Sequence, residues 1–148
     1  MKFGAIIEAR MTSTRLPGKI LYEAAGKSFL QHLINRLKKV KQINKIIIAT
    51  TLNSEDNILR SIAKKNKVFL FRGSENDVLS RVIGASKKFN VKNIVNITSD
   101  CPIIDIDIIS QIIETFRSFY FLVSNFIDTL ITYHLCISDP VSHDKKVI

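Results

Sequence analysis

Short runs of consecutive apolar residues alternate along this chain with longer stretches in which apolar residues recur every three or four positions. The first kind predicts buried strands and the second amphipathic helices. Residues 3–7 are the first strand. Phe29, Leu30, Leu33, Ile34, Leu37 and Val40 then follow a helical period, with Ser28 and Gln31 placed as a capping box at its start. Residues 45–51 (KIIIATT) are a second strand, and Ser54 is placed to cap a helix whose apolar face is Ile58, Leu59, Ile62 and Ala63. Residues 68–73 (VFLFRG) are the third strand, and Val78, Leu79, Val82 and Ile83 mark the next helix. Residues 93–100 (NIVNITSD) are the fourth strand, and Asp105 is placed to cap a helix carrying Ile108, Ile109, Ile112, Ile113 and Phe116. Residues 120–125 (YFLVSN) read as a fifth strand, and beyond them no period is clear.

This alternation predicts an α/β domain with right-handed crossovers and a mostly parallel sheet, its strands apolar on both faces because helices cover both sides. Residues 1–125 form the domain and residues 126–148 a divergent or truncated tail. In such a sheet, ligands sit beyond the carboxyl ends of the strands. Those ends carry Arg10, then Thr50 and Thr51, then Arg72 and Gly73, then Asp100, then Ser124 and Asn125. Cations, hydroxyls and a carboxylate are therefore expected along one edge.

Composition narrows the class without choosing a ligand. With 46% hydrophobic residues the chain can build a core and is not of the disordered type. Lys+Arg of 22 against Asp+Glu of 13 gives a formal charge of +9, which favours anionic partners such as nucleotides, sugar acids, nucleic acid or anionic membranes. The basic residues are spread over many helices. Arg36, Lys38, Lys39 and Lys41 form the one dense cluster, a pattern that a helix C-terminus also favours. Cys101 and Cys136 lack metal-ligand spacing and no leader-like segment precedes the first strand, so a cytoplasmic protein with reduced thiols is expected. Cys101 reads as a small buried residue. The apolar stretch 119–137 contains Asn125, Asp128 and His134, each costly in lipid, so no membrane span is expected. His32 reads as a surface residue, and His134 and His143 have no partners at metal or triad spacing.

The loop after the first strand, EARMTSTRLPGK, concentrates chemistry. Arg10 and Lys19 can offset the charge of a triphosphate, arginine as a planar fork and lysine as a point charge. Gly18 permits close approach of backbone amides, and Thr12, Ser13 and Thr14 add donors. The loop is not a P-loop: GKS occurs at residues 26–28, but Leu21 stands where the first glycine is required, and GxGxxG is absent. The same residues also suit a basic surface loop turning at Pro17 and Gly18. Asp100 ends an apolar strand at the mouth of the expected cleft. A hard cation such as Mg²⁺ takes one or two carboxylates and completes its shell with water and phosphates; capping a turn into Pro102 would explain Asp100 as well. Helix starts account for Asp77 and Asp105.

EARMTSTRLPGK, RGSENDVL and ITSDCPIID, in this order and spacing, resemble the sugar-acid cytidylyltransferases. These are the CMP-Kdo synthetases, the acylneuraminate cytidylyltransferases and their homologues in spore coat polysaccharide biosynthesis. The resemblance covers about residues 2–125. It implies a three-layer, Rossmann-like nucleotide-diphospho-sugar transferase fold, incomplete here at the C-terminus. It also implies Mg²⁺ as cofactor, with CTP and a sugar acid as substrates. In the implied reaction a sugar hydroxyl attacks the α-phosphorus of CTP, forming a CMP-sugar for surface polysaccharides and releasing pyrophosphate. Arg10 and Lys19 would hold the triphosphate as catalytic residues, with Ser13 and Arg15 in the same loop. Ala49, Thr50, Thr51 and Arg72 would line the nucleotide cleft, and Asp100 would bind the metal. Glu8 stands where the family usually has Gln, and Thr12 and Ser99 where it usually has Gly. The pattern is lost after residue 125, where relatives continue into a half that supplies sugar contacts, dimer contacts and a second metal carboxylate. A shortened chain follows as an expectation, and both the implied activity and a homodimer interface then depend on that further half. The second reading is a non-catalytic nucleotide- or partner-binding remnant. A nucleic-acid-binding domain, suggested by charge alone, ranks last for want of aromatic-rich strands or a binding motif.

Overall fold

The computed structural model describes residues 1–126, with side chains to Tyr120. In chain order the elements are β1 (Phe3–Glu8), a small hairpin of β2 (Glu23–Ala24) and β3 (Lys27–Ser28), α1 (Phe29–Leu37), β4 (Ile43–Thr51), α2 (Ile58–Asn66), β5 (Phe69–Gly73), α3 (Val78–Lys88), β6 (Asn93–Thr98) and α4 (Ile106–Phe126). The long strands form one parallel sheet in the order β5-β4-β1-β6. β1 is central, and alternate residues feed opposite layers. Ala5 and Ile7 pack with Leu33 and Ile34 of α1, Leu59 of α2 and Ile109 and Ile113 of α4. Ile6 packs with Ile47, Val82 and Ala85 on the α3 side. The chain steps outward from β1 to β4 to β5 with its helices on one face, then returns to β6 with α3 on the other, as right-handed crossovers require. The α/β architecture and parallel sheet therefore stand as expected.

Local chemistry sets the element starts. Ser28 Oγ accepts from the Gln31 amide at α1, Asp77 accepts from Ser80 at α3, and Asp105 Oδ1 accepts from the Asp107 and Ile108 amides at α4. Ser54 does not cap α2. It opens a 3-10 turn, Ser54–Asn57, and its hydroxyl turns to Glu55. The β2–β3 hairpin carries no strong turn signal in sequence. Ala25 and Gly26 both take positive φ there, 49° and 70°, the backbone of a tight primed turn. His32 Nε2 donates to the Ala24 carbonyl at 2.7 Å and holds the hairpin on α1.

The predicted fifth strand, residues 120–125, is instead the last part of α4. Ile109, Ile113, Phe116 and Tyr120 lie at helical spacing, and the Phe116 and Tyr120 rings sit 5.9 Å apart, so the helical phase runs on through the apolar run. A short apolar run has no period of its own to separate strand from helix. β6 also departs from the expected two-faced burial: Val95 and Ile97 meet one core layer and Ile94 the other, but Asn96 and Thr98 are exposed. No described helix is long and apolar enough to cross a membrane. From residue 127 onward the tail, with Asp128, His134, Cys136 and His143, lies outside the described residues.

Candidate active site

The sheet register levels the strand ends. Glu8 pairs with Ala49 on one side and Thr98 on the other, and Thr51 pairs with Gly73. The loops that follow β1, β4, β5 and β6 therefore meet along one edge. The first of them is fastened at both ends. The Gly18 amide donates to the Met11 carbonyl at 2.9 Å, with Gly18 at φ +68°, a conformation that favours glycine. Ile20 then drops into the core within a 3-10 turn, Lys19–Leu21, and so fixes where Lys19 starts.

Between the ends of β1 and β6 a cavity of about 220 Å³ opens, and Arg10, Ser13, Arg15, Lys19 and Asp100 all line it. Lys19 Nζ donates to Asp100 Oδ2 at 2.7 Å. That bond, and then one from Thr98, hold the Asp100 carboxyl below its ordinary value, so it is a carboxylate near neutral pH. Ala49, Thr50 and Thr51 lie elsewhere, fully buried under the loop, with none of them in the cavity lining. Arg72 is likewise outside it. Its guanidinium donates to the Thr51 and Asn53 carbonyls and to Asn57 Oδ1, and so ties the end of β5 to the segment after β4. Cys101, expected to be buried, is exposed, its sulfur 3.7 Å from Thr98 Oγ1. The chain turns outward after Asp100, so its neighbour faces solvent.

Two carboxylates and one cation that the sequence did not single out for the site, Asp56, Glu75 and Arg81, complete the arrangement together with Glu8. Asp56 is fully buried and accepts from the Met11 amide at 2.7 Å and from the Thr51 amide and hydroxyl. Burial alone would push its carboxyl up, but the donors on Thr51 and Met11 outweigh it and hold it low. Glu75 accepts from Asn53 Nδ2 at 2.7 Å and Thr12 Oγ1 at 2.8 Å and lies 3.7 Å from Arg10, so three loops converge on it. The bonds from Asn53 and Thr12 keep its carboxyl below the usual range. Glu8 lines the cavity and accepts from Asn96 Nδ2 at 2.6 Å. Arg81, on α3, also lines it while only 3% exposed, its Nη1 bound to the Ser74 carbonyl and its Nε without a partner. Burial pushes this guanidinium down and Glu8 pulls it back up, and it remains a cation. Gly73 makes the space: a Cβ there would lie 3.2 Å from Arg81 Cγ and 3.0 Å from the Phe71 ring.

Thr12 and Ser99, which stand where the resemblance has glycine, keep negative φ. Neither imposes strain, and Thr12 gains the Glu75 bond. Among the described residues no three His, Cys, Asp or Glu side chains form a ready metal cage. The cavity instead offers two carboxylates beside a cluster of cations, a donor set suited to an anion that brings a hard cation with it.

The family model for cytidylyltransferases matches residues 4–129. The chain belongs to the cytidylyltransferase family. Its relatives include the spore coat polysaccharide biosynthesis protein SpsF of Bacillus subtilis, 34% identical over 74% of this chain and 47% of SpsF. They also include a 3-deoxy-manno-octulosonate cytidylyltransferase of Trichlorobacter lovleyi, 30% identical over 78% of this chain and 45% of the relative. Among solved structures, a cytidylyltransferase from Leptospira borgpetersenii superposes with a TM-score of 0.76 at 42% identity, over 80% of this chain and 50% of the other. The fold is the Rossmann-like nucleotide-diphospho-sugar transferase fold of that family. The chain spans about half the length of the curated relatives it matches.

Proposed function

We propose that the carboxyl-edge cavity binds CTP with Mg²⁺ and that the chain serves, in the cytoplasm, to transfer CMP from CTP to a sugar acid for surface polysaccharide synthesis. The observation that supports this most is the convergence of Arg10, Ser13, Arg15 and Lys19 with Asp100 on one cavity, from loops at two neighbouring strand ends. Arg10 and Arg15 grip phosphate oxygens as forks, Lys19 adds a point charge, and Ser13 adds a hydroxyl donor. Their fixed positions offset charge where pyrophosphate departs, which is how phosphoryl-type transfer is accelerated. Asp100, with Glu8 across the cavity, would hold the Mg²⁺, which when bound supplies Lewis-acid charge on the phosphate oxygens. In the transfer, a sugar hydroxyl gives up its proton to solvent as its oxygen forms a bond to the α-phosphorus, and the bond from that phosphorus to pyrophosphate breaks. Thr51 and Arg72 act beneath the site by holding the loop floor through Asp56 and Asn53.

Calorimetric titration with CTP and Mg²⁺, followed by a pyrophosphate-release assay with candidate sugar acids, tests the proposal. Saturable CTP binding that weakens about tenfold or more in Arg10→Ala and Lys19→Ala is expected, since each removes a charge-assisted contact. Binding indifferent to both substitutions overturns the site. Binding without pyrophosphate release from any sugar acid retains the site and overturns the transfer.

A further inference from the structure

The opposite edge of the sheet is crowded with lysines. Helices that connect parallel strands run back against them, so α1, α2 and α3 end beside the amino ends of the strands. Lys38 caps α1, Lys64 and Lys65 close α2, and Lys87 and Lys88 close α3. Residues 36–51, 58–74 and 78–99 contain no Asp or Glu. The helix dipole favours a cation at each of these ends, but it does not require them to share a cavity.

They do share one. A cavity of about 220 Å³ at the starts of β4 and β5 is walled by Lys38, Lys45 and Lys67 and by Ile43, Val68 and Phe69. Lys38 Nζ donates to the Asn66 carbonyl and Lys45 Nζ to the Phe89 carbonyl, each at 2.6 Å. These bonds tie Lys38 to the end of α2 and Lys45 to the end of α3, and leave each ammonium with two further donors. Phe69 is 44% exposed and packs against Phe89, with ring centroids 4.8 Å apart. Glu114 reaches this edge through a bond from Gln42 and is itself paired with Arg117. The lining contains no carboxylate, so a phosphate here would be held by ammonium groups without a bridging cation.

We propose that this cavity is a second anion site, which takes the phosphate of a small organic phosphate on Lys38, Lys45 and Lys67 and rests its apolar body on Val68 and Phe69. The probe is phenyl phosphate, titrated at constant ionic strength into the ¹⁵N-labelled full chain. Saturable amide shifts at residues 44–46 and 67–69 are expected, and they persist in Lys19→Ala, which weakens the other edge. Lys67→Gly raises the dissociation constant about fivefold, the scale of one exposed charge contact. It keeps the fold, because Lys67 sits at φ 53°, where glycine is at ease. Lys45→Gln, at a second wall of the cavity, weakens binding likewise. Inorganic phosphate binds at the same residues but more weakly. Shifts confined to residues 10–19, shifts that grow without saturating, or equal affinity in Lys67→Gly and Lys45→Gln overturn the site. Equal affinity for inorganic phosphate overturns the role of the apolar wall. Binding to phosphatidylglycerol vesicles while phenyl phosphate leaves residues 44–46 and 67–69 unmoved overturns the proposal in favour of a lipid surface.

Discussion

The two edges of this sheet carry similar cations in opposite settings. At the carboxyl edge Arg10, Lys19 and Arg81 share their surroundings with Glu8, Glu75 and Asp100, and side-chain bonds tie the loops that carry them. At the amino edge the lysines meet main-chain carbonyls at helix ends. Charge at the first edge is balanced and held in place, whereas at the second it is in excess and carried on long stems. The formal +9 therefore describes the amino edge far better than the carboxyl-edge cavity. For a ligand that must be aligned for transfer, carboxylates beside the cations are an asset, because they position the cations before the ligand arrives.

The sharpest way to break this contrast is to remove the buried carboxylate that ties the first loop down. Asp56→Ala leaves the Met11 and Thr51 amides and the Thr51 hydroxyl without their acceptor. A loss of about 3 kcal/mol in urea unfolding is expected, the scale of unpaired buried donors to a charged group. Lys38→Ala, at the amino edge, should cost about 1 kcal/mol or less because its partner is a half-buried carbonyl. Acid sharpens the comparison. Asp56 has a lowered folded value, so its stabilisation is complete above about pH 4 and is lost as pH falls through that folded value. The wild type should lose stability on acidification more steeply than Asp56→Ala. Equal slopes would mean that Asp56 does not hold the loop.

The same contrast explains what could be read from the sequence. The alternation of short apolar runs with helical periods carried the sheet, and connectivity alone brought Arg10, Lys19 and Asp100 together, because strand ends are set by apolar patterning. Residues whose role depends on contacts far along the chain were not legible. Asp56 looks like an ordinary acid in a first helical turn, and its partner Met11 lies 45 residues away. Glu75 sits in a polar turn whose geometry the sequence does not fix. Arg81 left a faint signal, a cation next to Val82 on the apolar phase of α3, opposite a glycine that makes room for it. Residues 120–125 failed for a different reason: six mostly apolar residues fit either period, and the phase set by Ile109, Ile113 and Phe116 decides.

A smaller effect separates the proposed metal role of Asp100 from its ion pair with Lys19. Both side chains are partly exposed, so Asp100→Asn should change unfolding stability by less than about 0.5 kcal/mol. The Mg²⁺ dependence of CTP binding should weaken about tenfold, as expected when a carboxylate leaves a hard-cation site. An unchanged magnesium titration would leave Asp100 as a tether for Lys19 alone, and the carboxyl edge would then work by positioning cations only.

The smallest effect sets one backbone conformation against itself. Gly18 at the carboxyl edge and Lys67 at the amino edge both take a left-handed φ, 68° and 53°. Lys67 ends α2 there, its amide bound to the Ala63 and Lys64 carbonyls. Glycine adopts this conformation without the Cβ crowding that an L side chain meets. Lys67→Gly should therefore raise stability by about 0.5–1 kcal/mol, seen as a higher melting temperature, while Gly18→Ala should lower it by about 1 kcal/mol. A gain at residue 67 would mean that a lysine occupies the amino-edge cavity against the preference of its own backbone. Such a gain agrees with a charge that answers to a ligand. No gain would mean that the lysine stem offsets the strain by packing within the fold, and the amino-edge charge would then need no ligand to account for it.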